Sequence, residues 1–332
     1  MISAARPLSV VLTDDYQGAV STLTCFARLA NHRVTIHRDT VKDISVLAAR
    51  LADAEVWLPI RGRTAVTRAL LERLPKLRLI SQTGMSVSHI DVEACTDHGV
   101  VVAAAGDYPH ATAELTLGLM LASVRHIAHE AAQLRAGIWQ TTLGTVLYGK
   151  TLGIVGYGSI GRLVAGYCKA LGMRVIVWGR EESRLRAEQD GVPMAASRET
   201  LFAQADVVSL HLGLNSSTRG SIGSEVLDLM KPTALLVNTA RAELLAPGAL
   251  ISALRAGRPG YAALDVFDEE PILDPNHPLL KMDNVLCTSH LGYVEKNLYE
   301  QFFNTAIDQI NAWAEGRMLN AVNPAPFRHV PE

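Results

Sequence analysis

Residues 150–161 read KTLGIVGYGSIG, and few ways of folding a chain satisfy that stretch. A short β-prone run with apolar Leu152, Ile154 and Val155 leads into Gly156, Gly158 and Gly161 at G-x-G-x-x-G spacing. Directly afterwards Ile160, Leu163, Val164, Tyr167 and Leu171 recur at three- and four-residue intervals, the signature of one helical face. A second β-prone run follows at 174–178. The glycines therefore belong to a strand-to-helix turn. There the first glycine permits the tight reversal, the second lets backbone approach a pyrophosphate, and the third lets the helix pack close to the strand. A helix starting near Ser159 would aim its free N–H groups and positive dipole end at the phosphates. The stretch predicts an α/β domain with a dinucleotide at this turn.

The rest of the chain repeats that rhythm. From 8 to 103 five β-prone runs (8–13, 33–37, 55–60, 77–81 and 99–103) alternate with helical patterns at 19–29, 44–51 and 66–74. Strands separated by helices need crossover connections, so the sheet is expected to be parallel. Residues 107–135 carry no strand signal, and Leu115, Leu119, Ala122 and Ile127 mark one long, unusually apolar helix. A loop with Gly137, Trp139, Gly144 and Gly149 then enters the glycine turn. Further strands are expected at 151–155, 174–178, 206–210, 234–238, 261–265 and 285–288, and a closing helix at 297–313 with Leu298, Phe302, Ala306, Ile310 and Trp313 on one face. The expected fold is two Rossmann-like, doubly wound parallel-sheet domains: residues 1–106 with 296–332, made discontinuous by the returning closing helix, and residues 107–295.

Composition excludes several alternatives. A chain of 332 residues with 48% hydrophobic and 19% charged residues has the balance of a folded globular protein with room for two cores. A formal net charge of −2 gives no electrostatic reason to expect nucleic acid or an anionic membrane as partner. Cys25, Cys95, Cys168 and Cys287 lack C-x-x-C spacing, so neither a zinc site nor a disulfide framework is expected, and no metal. They read as reduced packing residues of a cytoplasmic protein. The start of the chain lacks the form of a signal peptide, and the most apolar stretch, 115–124, is too short to span a bilayer.

In open α/β sheets ligands lie beyond the carboxyl ends of the strands. In the second domain that rule selects Arg241 after LLVNTA, Asp265 after YAAL, Glu270 in the following turn and His290 after VLCTS. A guanidinium can grip a carboxylate bidentately and polarise an adjacent carbonyl. An imidazole can deliver a proton to a forming alkoxide, and a neighbouring carboxylate would orient it. Taken singly these residues could be solvated loops or turns; together they suit hydride transfer to a keto acid.

The segments GKTLGIVGYGSIGR (149–162), ADVVSLHL (205–212), MKPTALLVNTARAE (230–243), AALDVFDEEP (262–271) and TSHLGY (288–293) closely resemble the D-isomer-specific 2-hydroxyacid dehydrogenases, and LPIRGRTAVT, LRLISQTG and HIDVEACTDHGV resemble the substrate domain of that family. The resemblance implies that Arg241 binds substrate, that Glu270 pairs with the catalytic histidine, and that His290 is that histidine. It places Gly156, Gly158, Ser159, Ile160, Gly161, Arg180, His211, Thr239, Ala240 and Asp265 at the cofactor, with Asp265 at the nicotinamide carboxamide. Met85 and Ser86 fall in the loop whose amides receive the substrate carboxylate, and Arg61 where a substrate-facing arginine is common. Departures occur: Ala242 follows Arg241, Ser289 precedes His290, and the substrate loop reads Gly84-Met85-Ser86-Val87-Ser88-His89-Ile90-Asp91.

The implied activity is reduction of a small 2-keto acid, such as glyoxylate or hydroxypyruvate, to the D-2-hydroxy acid. A phosphoglycerate dehydrogenase-like enzyme, with Arg61 and Arg63 for the phosphate, and a non-catalytic dinucleotide-sensing corepressor are the alternatives. The second strand of the glycine-turn domain ends Trp178-Gly179-Arg180, with no acid to bond a ribose 2′-hydroxyl and an arginine suited to a 2′-phosphate. NADP(H) is therefore favoured, with NAD(H) the alternative through Glu181 or Glu182. A helix apolar on more than one face needs more than one packing partner, so a homodimer through the helix after Asp107 is expected.

Overall fold

The computed structural model describes residues 6–106 and 108–323. Asp107, expected to open the second domain, and the terminal residues 1–5 and 324–332 lie outside the described residues. The chain forms two compact units, Met1–Tyr108 with Lys296–Glu332, and Pro109–Glu295.

The first unit holds β1 (Ser9–Thr13), β2 (Arg33–Ile36), β3 (Val56–Pro59), β4 (Leu79–Thr83) and β5 (Val101–Ala105), all parallel in the order β2-β1-β3-β4-β5. Every residue of β3 and β4 is buried, as continuous strands covered on both faces require. Three short helices connect them: α1 (Ile44–Leu51), α2 (Arg68–Leu71) and α3 (Val92–Asp97). Asp43 caps α1 by accepting from the Ser45 and Val46 amides, the usual answer to orphan donors at a helix start. Residues 19–29, expected as one helix, instead form two 3-10 segments, Val20–Thr22 and Thr24–Leu29, separated by extended Leu23. The local donors are taken by side chains: Asp15 accepts from Ala19 and Val20, while Glu300 accepts from Thr24 and Cys25 at 3.0 and 2.6 Å.

The second unit contains α4 (Pro109–Val124), α5 (Ile127–Arg135), β6 (Thr151–Val155), α6 (Ser159–Ala170), β7 (Arg174–Trp178), α7 (Glu181–Gln189), α8 (Arg198–Gln204), β8 (Val207–Leu210), α9 (Ser224–Leu227), β9 (Leu235–Asn238), α10 (Ala249–Ala256), β10 (Tyr261–Leu264) and β11 (Val285–Cys287). Its six parallel strands run β11-β10-β9-β8-β6-β7, so the order reverses at β6/β8, immediately beside the glycine turn. The single long helix expected over 107–135 is two helices. His126, at a φ of 52°, turns the chain between α4 and α5, and a left-handed residue cannot continue a right-handed helix. Beyond that break Leu134, Ile138, Trp139, Leu143, Val146 and Tyr148 are exposed, whereas Ala113, Thr116, Leu119 and Met120 of α4 are buried in their own unit.

The closing helix α11 (Lys296–Ala314) lies in the first unit. Phe302, Phe303, Ala306, Ile307 and Ile310 are buried, and Ser81 of β4 donates to the Ala306 carbonyl. Among the described residues no helix is long and apolar enough to cross a membrane.

Candidate active site

The turn between β6 and α6 is shaped by what its glycines avoid. At Gly156, φ +94°, a Cβ would lie 2.7 Å from the His211 carbonyl oxygen, and at Gly161 one would lie 2.5 Å from the Gly156 carbonyl. Gly158 meets nothing within 4 Å and caps α6 with no side chain. The turn thus offers bare backbone and an open helix N-terminus to an incoming anion, which fits a dinucleotide pyrophosphate. Tyr157, between the glycines, points inward: its hydroxyl donates to Asp190 at 3.1 Å, and burial and that carboxylate push its pKa up to about 12. Ser159 and Ile160 open the first turn of α6.

At the end of β7 the structure explains the glycine. A Cβ at Gly179 would lie 2.6 Å from the Ser183 side chain, whose hydroxyl accepts from the Tyr157 amide at 3.1 Å. Arg180 reaches Ser217 and, at 3.4 Å, Asn215. Glu181 is paired with Arg184, and Glu182 with Arg186, along α7. His211 follows β8 with Nε2 2.9 Å from the Ser209 hydroxyl; burial pushes its pKa down to about 4, so it is neutral at physiological pH.

Polar residues gather beyond β9, β10 and β11. His290 Nδ1 lies 2.6 Å from Glu270 Oε2, and Glu270 Oε1 accepts from the Phe267 amide at 2.9 Å. Burial opposes ionisation of Glu270, but the hydrogen bond and charge of His290, the Phe267 amide and the Arg241 charge outweigh it and hold the carboxyl below its ordinary range. His290 sits at a φ of 55°, a conformation rare for side chains with a Cβ. Asp265 secures it there. Fully buried, Asp265 accepts from the Thr288 hydroxyl at 2.5 Å, the Leu291 amide at 2.7 Å and the Gly292 amide at 2.8 Å. Burial raises its pKa, and those three donors act against the rise. Arg241, just past β9, donates to the Ala240 carbonyl at 2.6 Å, and Asn238 fixes the bend by donating to the Arg241 carbonyl and accepting from the Ala240 amide. Thr239 is buried against Thr116 of α4, their hydroxyls 2.8 Å apart, and Thr112 one turn earlier donates to the Gly292 carbonyl.

Arg61, Met85 and Ser86 belong to the first unit. Arg61 follows β3 at a φ of 53°; its guanidinium lies 4.9 Å from the centroid of the Phe302 ring and 3.4 Å from the Thr83 carbonyl. Met85 is exposed and Ser86 half-buried in the turn after β4. Arg63 donates to the Asp14 carbonyl at 2.5 Å and the Tyr299 hydroxyl at 3.1 Å, and covers the Tyr16 ring.

Sequence reasoning missed the supports of this site. Thr288, two residues before His290, the inward Tyr157 and the threonine pair at 112 and 116 carried faint signals: a hydroxyl beside a strand-end histidine, a tyrosine between glycines, and an i, i+4 polar pair on an apolar helix.

An open doubly wound sheet with a glycine turn at its switch point, and a carboxylate-held imidazole beside an arginine at the same carboxyl edge, defines a nicotinamide-dependent oxidoreductase. Residues 117–292 match the family described as D-isomer specific 2-hydroxyacid dehydrogenase, NAD binding domain. The chain is 36% identical to the glyoxylate reductase of Aeropyrum pernix over 322 residues, covering 88% of this chain and 96% of that one. It is 40% identical to the D-3-phosphoglycerate dehydrogenase of Methanocaldococcus jannaschii over 281 residues, which is 83% of this chain but 53% of the relative, about half its length. The crystal structure of a phosphoglycerate oxidoreductase from Vibrio cholerae superposes with a TM-score of 0.90 at 46% identity, covering 92% of this chain and 99% of that one. The chain belongs to the D-isomer specific 2-hydroxyacid dehydrogenase family.

Proposed function

We propose that this chain reduces a small 2-keto acid, of glyoxylate or hydroxypyruvate size, to its D-2-hydroxy acid, with NADP(H) preferred over NAD(H). The observation that carries the reading is the 2.6 Å pairing of His290 Nδ1 with Glu270, within reach of the Arg241 charge. The nicotinamide cofactor, once bound, supplies the hydride. Gly156, Gly158, Ser159, Ile160 and Gly161 would hold its pyrophosphate, and His211, Thr239, Ala240 and Asp265 would line its nicotinamide end. With Nδ1–H committed to Glu270, His290 Nε2 delivers the proton that the forming alkoxide needs and recovers it in the reverse direction. Arg241 would grip the carboxylate and polarise the neighbouring carbonyl; in the first unit the amides at Met85 and Ser86 and the Arg61 guanidinium form an anion-receiving group of their own.

Three observations support the finer parts. Glu181 and Glu182 are engaged with arginines, and Ser183 fills the space a side chain at Gly179 would need, so the cation offered at this strand end is Arg180, which would exchange its contacts with Ser217 and Asn215 for a 2′-phosphate. Arg63 is committed to Asp14, Tyr299 and Tyr16, a set of contacts that favours an unphosphorylated acid over a phosphoglycerate-type substrate. A relative matched along 96% of its length is named a glyoxylate reductase, beside a phosphoglycerate oxidoreductase structure matched along 99%. The exposed apolar run over 134–148 supports a homodimer through this arm rather than through α4, testable as a dimer mass in solution at micromolar concentration. NADPH and NADH oxidation with glyoxylate, hydroxypyruvate, pyruvate, phenylpyruvate and 3-phosphohydroxypyruvate tests substrate and cofactor together. A preference for NADH of about tenfold, roughly 1.4 kcal/mol, removes the assignment to Arg180, and absence of turnover moves weight to the corepressor reading.

A further inference from the structure

Gln82 is the fourth residue of β4 and is 1% exposed. A polar side chain buried that deeply must spend its hydrogen bonds inside the protein. Gln82 spends them on two separate loops: Nε2 lies 3.2 Å from the Arg61 carbonyl oxygen, 3.3 Å from that of Thr83 and 3.2 Å from that of Ser86. The opposite amide orientation would set Oε1 against three carbonyl oxygens, so the network fixes which end is the donor. Oε1 itself is buried without a hydrogen-bond partner. Leaving an acceptor unanswered is costly, and an apolar side chain would avoid the cost. The nitrogen end of the amide carries its hydrogen bonds.

The segments it joins are conformationally demanding. Arg61 and Gly84 both adopt positive φ, at 53° and 86°. Thr83 reinforces the junction, its hydroxyl accepting from the Arg61 amide at 2.8 Å and donating to the Pro59 carbonyl at 3.0 Å. The Arg61 guanidinium then lies over Gly84 so closely that a Cβ there would come within 1.8 Å of Nη1.

We propose that Gln82 is a positioning residue for substrate recognition: its carboxamide ties the loop after β3 to the turn after β4, and so sets where the Arg61 guanidinium stands relative to the backbone amides of residues 84–86, which together read the anionic end of the 2-keto acid. The inference rests on the reading that these two segments face the substrate. Gln82 itself touches no substrate.

Steady-state kinetics of Gln82→Met and Gln82→Glu at saturating NADPH, using the best keto acid of the panel, test it, with NADPH affinity measured separately by fluorescence titration. In Gln82→Met the KM for the keto acid should rise at least about tenfold while kcat stays within about threefold and NADPH affinity within about twofold. Gln82→Glu should raise KM further, because a carboxylate would face three carbonyl oxygens. A purely structural role would lower the melting temperature and the active fraction without moving KM. A KM in Gln82→Met within about twofold of the parent, or loss of NADPH binding together with substrate binding, overturns the inference. If Gln82→Glu does not fold, the methionine variant decides. A parent protein that turns over no 2-keto acid takes down the functional reading as well, whereas a parent that turns over while Gln82→Met keeps its KM takes down only the role of Gln82.

Discussion

Beyond β10 and β11 two carboxylates are held by specific donors: Glu270 by His290 and the Phe267 amide, Asp265 by the Thr288 hydroxyl and two amides. At the carboxyl end of β4 the buried polar residues are neutral, Gln82 and Thr83, and the cations past β3 are held by carbonyl oxygens and aromatic rings, Arg61 on Phe302 and Arg63 on Tyr16. The two edges share a parallel-sheet geometry and differ in what they can do. A carboxylate 2.6 Å from an imidazole steadies a proton. A guanidinium over a ring carries fixed charge and can only position an anion. On the proposed function, proton transfer would fall to the second unit and part of recognition to the first.

That division can be broken by substitution. His290→Ala should have the largest effect, lowering kcat by about 10²–10⁴-fold, the usual worth of a general acid, while NADPH affinity measured by fluorescence stays near that of the parent. Arg241→Ala should raise the keto-acid KM and lower kcat together, at a total cost of roughly 2–5 kcal/mol in kcat/KM, as the proposed grip on both carboxylate and carbonyl requires. Glu270→Gln should lower kcat less, by about tenfold to a hundredfold, since the imidazole loses the carboxylate that orients it.

Glu270 also bears on stability. Its folded pKa lies below the ordinary 4.5, so the stabilisation it contributes is present above that value and is lost as pH falls through the folded one. Thermal unfolding followed from pH 7 to about pH 3 should therefore show a steeper acid decline in the parent than in Glu270→Gln. The smallest change is expected at Arg180→Ser, where the NADPH-to-NADH ratio of kcat/KM should fall by about tenfold, the worth of roughly one exposed charge-assisted contact, with the keto-acid KM nearly unmoved.

The legible parts of this molecule were those encoded locally. Residues 151–155 and 174–178 form strands over the expected span because each is rich in β-prone apolar residues, and the glycine turn announced itself by spacing. Arg241 and His290 could be picked as polar residues soon after such runs, and Glu270 from the turn after another, and they occupy one neighbourhood beyond β9–β11. What sequence could not give was set by single backbone angles or distant partners. The α4–α5 break rests on one left-handed residue, His126, inside an uninterrupted apolar pattern. The 3-10 form of residues 20–29 depends on Glu300, 275 and 276 residues away from the amides it holds. The hold of Asp265 on the His290 turn, and of Gln82 on two loops, is likewise tertiary: a buried Asp or Gln after an apolar run has no sequence mark for which amides or carbonyls it will meet.

The most direct measurement is NADPH oxidation at neutral pH by the parent protein and by His290→Ala, with glyoxylate and hydroxypyruvate set against 3-phosphohydroxypyruvate. Turnover of an unphosphorylated acid with kcat/KM above about 10⁴ M⁻¹s⁻¹, reduced by at least about a hundredfold in the variant while NADPH still binds, is the predicted result. Equal turnover by parent and variant, or turnover of the phosphorylated acid alone, would contradict it.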